Sequence, residues 1–262
     1  MTNFLAFNPE SYYLFFLVVL RISGIFVTAP ILSSENVPRS VKLYLAVICS
    51  LILFSALPAT DIKFGLFNTI DYFLLAFREL MIGLLLGFIP RMMFAAVDFA
   101  GTLVGFMMGL SIANVVDPQT DLQVSIIASL EGLIATLLFI VLDGHHIFLQ
   151  AISYSYQYVP VGGFLFTTNK MDFILRAMGD VVIIGLKLGA PLVVALLLAN
   201  VIMGFMARSI PQMNVFIVGF PFTIGLGFIL LILGMPHLVR AMSMLFGKVG
   251  EQVIQLIQMM PK

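Results

Sequence analysis

Six ionisable side chains fall within or against long apolar runs: Arg21, Arg78, Glu79, Asp98, Glu131 and Lys187. A charge at the centre of a bilayer costs at least about 2.5–3.5 kcal/mol on insertion scales. Such residues must face protein or water, or pair with one another. Two roles suit them: the ion path of a secondary transporter or channel, or helix-to-helix pairing. Arg78 and Glu79 are adjacent, point to different sides of a helix and are poor partners for each other.

His145 and His146 follow Asp143-Gly144. Metal ligands on one helix face stand three or four apart. Adjacent histidines are expected to diverge, and no clustered Cys or third His follows, so no metal site is expected. The chain has no GxSxG, no P-loop and no GxGxxG after a strand, hence no nucleophile elbow and no ATP site. The single cysteine, Cys49, cannot form an internal disulfide and is expected to be a small buried hydrophobe. An intramembrane enzyme lacks its nucleophile–base pair here.

Glycines at 101, 105 and 109 repeat every four residues, as do Gly83/Gly87 and Gly185/Gly189. Each stripe bares one helix face and lets another backbone approach closely. The first stripe runs into Phe106-Met107-Met108-Gly109-Leu110-Ser111-Ile112-Ala113-Asn114-Val115-Val116-Asp117-Pro118. The residue before a proline disfavours the α region, which predicts a helix end near Asp117. Flexible thioethers suit a soft stopper in a channel, but on composition alone ordinary loop packing is the preferred reading. A second polar interruption, Arg208-Ser209-Ile210-Pro211-Gln212-Met213-Asn214, reads as a hairpin tip. Gln212 and Asn214 could satisfy the backbone groups freed there. The tip is a solvated turn or a docking site.

These residues need a scaffold, and composition names its kind. Of 262 residues, 61% are hydrophobic and 10% charged, with 13 basic and 13 acidic side chains and zero net charge. A soluble domain carries about 25% charged residues and could not hide so much apolar side chain. A soluble enzyme, a disordered chain and a nucleic-acid binder are excluded. Continuous runs near the length of about 20 residues needed to span a bilayer occur at Tyr12–Pro30, Val41–Leu57, Tyr72–Pro90, Phe94–Val116, Val124–Leu142, Asp180–Phe205 and Val215–Gly234. No alternating strand pattern occurs, so an all-α, polytopic membrane fold in one domain is expected. The first twenty residues lack Lys and Arg, so the first run is expected to stay in the mature protein.

If all seven runs cross from an external N-terminus, Arg39, Lys42, Arg91, Lys170, Arg176, Arg240, Lys248 and Lys262 fall inside, against Lys63 and Arg208 outside. Beyond Pro236, Leu238, Met242, Leu245, Val249, Ile254 and Ile257 recur at near-helical spacing. This predicts an amphipathic helix lying on the membrane or against a partner.

In order and spacing, several of these features resemble the FliR/SctT family of type III secretion export-gate proteins. They are Arg21 before Pro30, Pro38-Arg39, Glu79 with Gly83/Gly87, the 101/105/109 stripe and Val116-Asp117-Pro118. Asp143-Gly144-His145, Pro160-Val161-Gly162-Gly163 and Arg208–Asn214 followed by Val215-Phe216-Ile217-Val218-Gly219-Phe220-Pro221 complete the set. The resemblance covers nearly the whole chain and favours the flagellar member over the injectisome one.

It implies a non-enzymatic pore subunit without cofactor, present in one copy with FliP and FliQ in the inner membrane and flagellar basal body. FlhB and FlhA are further implied partners, and unfolded flagellar export substrates pass through the centre. It also implies a FliP-like part at about 1–179, a FliQ-like hairpin at about 180–234 and the C-terminal helix beyond it. Phe106 to Pro118, extending toward Leu122, corresponds to the family's plug. Arg208, Pro211, Gln212 and Asn214 correspond to a tip that contacts partners.

Overall fold

The computed structural model describes residues 9–34, 37–56, 69–110, 125–163, 168–210 and 214–260. Among these residues every regular element is a helix. In chain order they are α1 (Pro9–Thr28), α2 (Arg39–Ala56), α3 (Thr69–Met107), α4 (Ile126–Val141), α5 (Gly144–Tyr158), α6 (Thr168–Ser209) and α7 (Val215–Met259). Four are long and apolar enough to cross a membrane, or up to five if the broken pair α4 and α5 forms one span.

The seven-crossing expectation is therefore corrected. Tyr72–Pro90 and the Phe94–Met107 part of the next run join in α3, which continues through Pro90. Prolines also lie inside α6 (Pro191) and α7 (Pro221 and Pro236). A proline removes one N–H from the ladder, and apolar membrane helices absorb that loss through their neighbours. With no loop at Arg91, the alternation of loop sides loses its basis.

The chain forms two compact units, each discontinuous in sequence. The first comprises Met1–Met92, Asp143–Ala177 and Gly247–Lys262. Its α1 buries Leu14, Leu17, Val18, Ile22, Ile25 and Phe26, the stripe of one helix face. Contact between α1 and α3 is set by glycine. A Cβ on Gly24 would lie 2.8 Å from the Leu80 carbonyl oxygen, and one on Gly83 would collide with that of Arg21. Gly87 leaves room for Thr28, whose hydroxyl reaches the Leu84 carbonyl at 3.2 Å.

The C-terminal segment of α7 corrects a second expectation. Val249, Val253, Leu256, Ile257 and Met260 are buried by the chain itself, whereas Ile254 is exposed. Its apolar face is covered within the molecule. The buried Lys170 ammonium donates to the Met260 carbonyl at 2.9 Å, placing a cation at the negative end of a helix.

The second unit comprises Met93–Leu142 and Met178–Phe246. Val104, Met108, Ile127, Leu192, Leu196 and Leu231 form a buried cluster. Phe94, Phe139 and Phe246 close a ring triangle with centroid separations of 5.6, 5.5 and 5.2 Å. Small residues again govern approach. A Cβ on Gly101 would lie 2.6 Å from Ala128 Cα, and one on Gly185 would lie 2.8 Å from the Ala96 carbonyl oxygen.

Candidate functional site

In the first unit, α1 and α3 bring Arg21 and Glu79 together from 58 positions apart. Both side chains are fully buried. Arg21 Nε donates to Glu79 Oε2 at 2.6 Å, and Nη2 donates to Oε1 at 3.1 Å, a bidentate pairing. Nη1 donates to Ser155 Oγ and to the Val159 carbonyl, each at 3.2 Å. The guanidinium also lies 3.9 Å over the Tyr156 ring. The Tyr156 hydroxyl is buried with no hydrogen-bond partner among the described residues.

The Pro160–Gly163 segment supplies the remaining partners. Gly163 N–H closes a turn onto the Pro160 carbonyl at 2.9 Å. Gly162 sits at φ +78, a conformation that side-chain-bearing residues rarely adopt. Its N–H donates to Glu79 Oε1 at 2.8 Å, and its carbonyl accepts from Arg78 Nη1 at 3.2 Å. Arg78 and Glu79 thus grip opposite ends of one glycine. Arg78 is half-buried. Desolvating two charges is costly, and good geometry with satisfied lone pairs offsets that cost.

In the second unit, Glu131 on α4 is 2% exposed, and neither carboxylate oxygen has a hydrogen-bond partner among the described residues. It lies against Gly101, where a Cβ would come within 3.1 Å of Glu131 Oε2. Gly105 leaves room for Ser125, the N-cap of α4. One expected buried charge is corrected: Lys187 is exposed, as is Asp98. Helix α6 turns Lys187 away from the face carrying Gly185, Leu188 and Gly189, which is the buried one. Lys170 is a buried cation that the sequence did not flag, because it resembled an ordinary loop charge. Cys49, expected to be buried, is half-buried.

Helix α3 ends at Met107, well before the expected stop near Asp117. Gly109 at φ +85 donates its N–H to the Phe106 carbonyl, and Leu110 N–H donates to the Gly105 carbonyl. This Schellman pattern ends the helix without help from Pro118. Gly109 is a terminator here rather than the last step of the helical stripe.

The segment just after α3 is firmly held. Asn200 Nδ2 donates to the Met107 carbonyl at 3.1 Å, and the Thr223 hydroxyl reaches the Met108 carbonyl at 3.1 Å. Met108 is fully buried against Gly227, and Gly109 faces Phe220. Phe106, by contrast, is 62% exposed. Ser111, Ile112, Ala113, Asn114, Val115, Val116, Asp117 and Pro118 lie outside the described residues.

At the hairpin tip, Arg208 occupies the exposed last turn of α6. Asn214 Oδ1 accepts from Ile217 N–H at 3.4 Å at the start of α7. Pro211 and Gln212 lie outside the described residues. At the α5 entry, Asp143 takes a left-handed φ of 55 and makes no side-chain cap. The two adjacent imidazoles do not diverge as expected: their centroids are 4.3 Å apart. His146 Nδ1 and His145 Nε2 lie 3.5 and 4.0 Å from Asp143 Oδ1, all three groups being exposed.

Comparison with known proteins places the chain in a family. Residues 12–249 match the family described as bacterial export proteins, family 1. The chain is 37% identical to the flagellar biosynthetic protein FliR of Bacillus subtilis (strain 168) over 249 residues, covering 93% of this chain and 94% of that one. It is 33% identical to FliR of Escherichia coli (strain K12) over 248 residues, covering 95% and 94%. It is 28% identical to the Yop proteins translocation protein T of Yersinia pestis over 242 residues, covering 89% and 92%. The chain belongs to the bacterial export proteins, family 1, together with the flagellar FliR proteins.

Proposed function

We propose that this chain is a non-enzymatic structural subunit of a flagellar type III secretion export gate. It assembles in single copy with FliP and FliQ, near FlhB and FlhA, in the inner membrane and basal body. Unfolded flagellar proteins pass through the assembled channel, which the segment following α3 plugs.

Helix length and exposure carry this assignment. Exposed apolar side chains on α6 extend from Met171 to Met206. At 1.5 Å per residue that is about 53 Å, against a hydrocarbon core of about 30 Å. Only 28% of the most apolar window of α6 and 17% of that of α7 is buried by the chain itself. Lipid covers one bilayer thickness, and exposed Asp172, Arg176 and Asp180 interrupt the apolar surface near its start, so the remaining length calls for neighbouring protein or water. Lys187, exposed amid this surface, then faces a partner or a wet lumen rather than acyl chains.

The plug assignment draws on the anchored segment 106–110. Met107 and Met108 are held through their carbonyls, so the chain leaves α3 from a fixed point with apolar residues following. Deformable apolar side chains limit ion leak by dewetting or by sealing around a passing chain. The flagellar relatives' higher identity favours a flagellar gate over the injectisome counterpart.

Co-expression with FliP and FliQ, followed by intact mass measurement of the purified complex, tests the assembly. Several copies of each partner around one copy of this chain is the expected result. A homo-oligomer indifferent to both would return attention to a transporter built on the buried charges. Deleting Ser111–Val116 tests the plug while sparing the buried Met108. Assembly should survive and ion conductance should rise; unchanged conductance removes the plug role.

A further inference from the structure

We infer that the α1–α2 corner of the first unit is a binding site for one anionic phospholipid. A cavity of about 380 Å³ lies there, within the range of small-molecule sites. Phe26, Leu43 and Ala46 give it apolar walls; Ser33, Arg39 and Lys42 give it a polar side. Phe26 and Ala46 form a buried floor, Val27 and Leu43 are exposed apolar walls beside it, and half-buried Lys42 and exposed Arg39 give one side its charge.

The charges stand where the fold does not favour them. Arg39 begins α2 and Lys42 is in its first turn, which holds no acidic residue. Cations at the positive end of a helix are disfavoured. A third joins them: Arg91 Nη1 donates to the cavity-lining Ser33 hydroxyl at 3.1 Å. Lys42 Nζ is tethered at the same turn by the Ser34 carbonyl at 2.8 Å. None of the three forms an ion pair among the described residues.

Like charges gathered on a helix N-terminus call for an anion, and the apolar floor calls for a hydrocarbon chain. One class of molecule in a bilayer carries both. The cavity lies at the C-terminal end of the Ser11–Thr28 segment, which is long and apolar enough to cross a membrane, and the end of such a helix is where a head group can reach it. Basic pockets between membrane helices bind anionic head groups on this principle. The phosphate sits among Arg39, Lys42 and Arg91, with an acyl chain between Phe26 and Leu43.

The test uses the full chain, purified in detergent and equilibrated with phosphatidylglycerol or phosphatidylcholine at equal concentration, with retained lipid read by native mass spectrometry. Phosphatidylglycerol should be retained at least tenfold better. R39Q/K42Q should abolish that preference, whereas the exposed R176Q should leave it intact. A46F, which fills the floor, should reduce retention of both lipids. Thermal melting of each variant confirms that a loss belongs to the site rather than to unfolding; if R39Q/K42Q fails to fold, A46F alone decides. Equal retention of the two lipids, a preference unmoved by R39Q/K42Q, or a retention unmoved by A46F overturns the assignment. Displacement of phosphatidylglycerol by millimolar inorganic phosphate alone would make the site one for free anions and also overturn it. So would an A46F chain that keeps its lipid but no longer binds partner subunits, because the cleft would then seat a protein helix.

Discussion

Arg21–Glu79 and Glu131 are both buried charge, and the chain treats them in opposite ways. The first pair meets each other, Ser155, the Val159 carbonyl and the Gly162 N–H. Glu131 is 2% exposed and meets nothing that hydrogen-bonds to it among the described residues. The first is an internal fastening that closes one unit upon itself. The second is a polar group whose burial costs stability with no hydrogen bond returned among the described residues. Buried charge in a membrane subunit is therefore not one category. Only the partner inventory separates a fastening from a group that awaits something else.

The comparison is most directly broken at Glu79. Glu79→Ala leaves the buried Arg21 guanidinium without its counter-ion and should cost about 3–5 kcal/mol. Thermal melting of the detergent-purified chain, followed by dye labelling of the lone thiol Cys49, measures it. Arg21→Met/Glu79→Met should cost less than either single change, because no orphan charge remains. A double variant worse than both singles would mean that the pair does more than fasten.

Gly83→Leu attacks the same contact by volume and should cost about 1–3 kcal/mol or more through overpacking against the Arg21 backbone. Gly132→Leu, at a position with open space around its Cα, is the matched control and should leave the melting temperature near its starting value. Ser155→Ala removes one of several acceptors from Arg21 and should cost about 1 kcal/mol.

The smallest effect is expected at Glu131. Glu131→Gln in the isolated chain should stay within about 0.5 kcal/mol of the parent, since no partner among the described residues is lost. A large loss there would show that Glu131 is paired, and the contrast with Glu79 would collapse. The same substitution measured in the complex with FliP and FliQ sharpens it. A loss confined to the complex would identify a neighbouring subunit as the missing partner.

The sequence made the ingredients of these sites readable but not their assembly. Charges inside apolar runs stood out at Arg21 and Glu79, yet their pairing spans 58 positions and depends on which helices cross. The glycine stripes announced close packing. Gly109 looked like one more member, because a helical glycine and a left-handed terminator are the same letter. Pro90 read as a boundary because proline breaks soluble helices. Inside a packed apolar helix one missing N–H is tolerated, and two expected spans became one. Lys170 gave no signal at all. Its burial follows from the end of α7 returning to it from 90 positions away, which no local pattern records.

The turn at Gly162 also sets a clock. Glu79 leaves the ribosome 83 residues before the N–H that completes it. At synthesis rates of about 5–20 residues per second, that is a delay of roughly 4–17 s. At the start of that interval Arg21 and Glu79 can find each other, whereas Ser155, Val159 and Gly162 have yet to emerge. A nascent chain therefore holds a half-finished ionic knot between its first and third helices, and the knot tightens only when the Pro160–Gly163 turn arrives. Slowing synthesis while the segment between Glu79 and Gly162 is emerging lengthens the exposure of that unfinished centre, whereas slowing it after Gly162 has emerged does not.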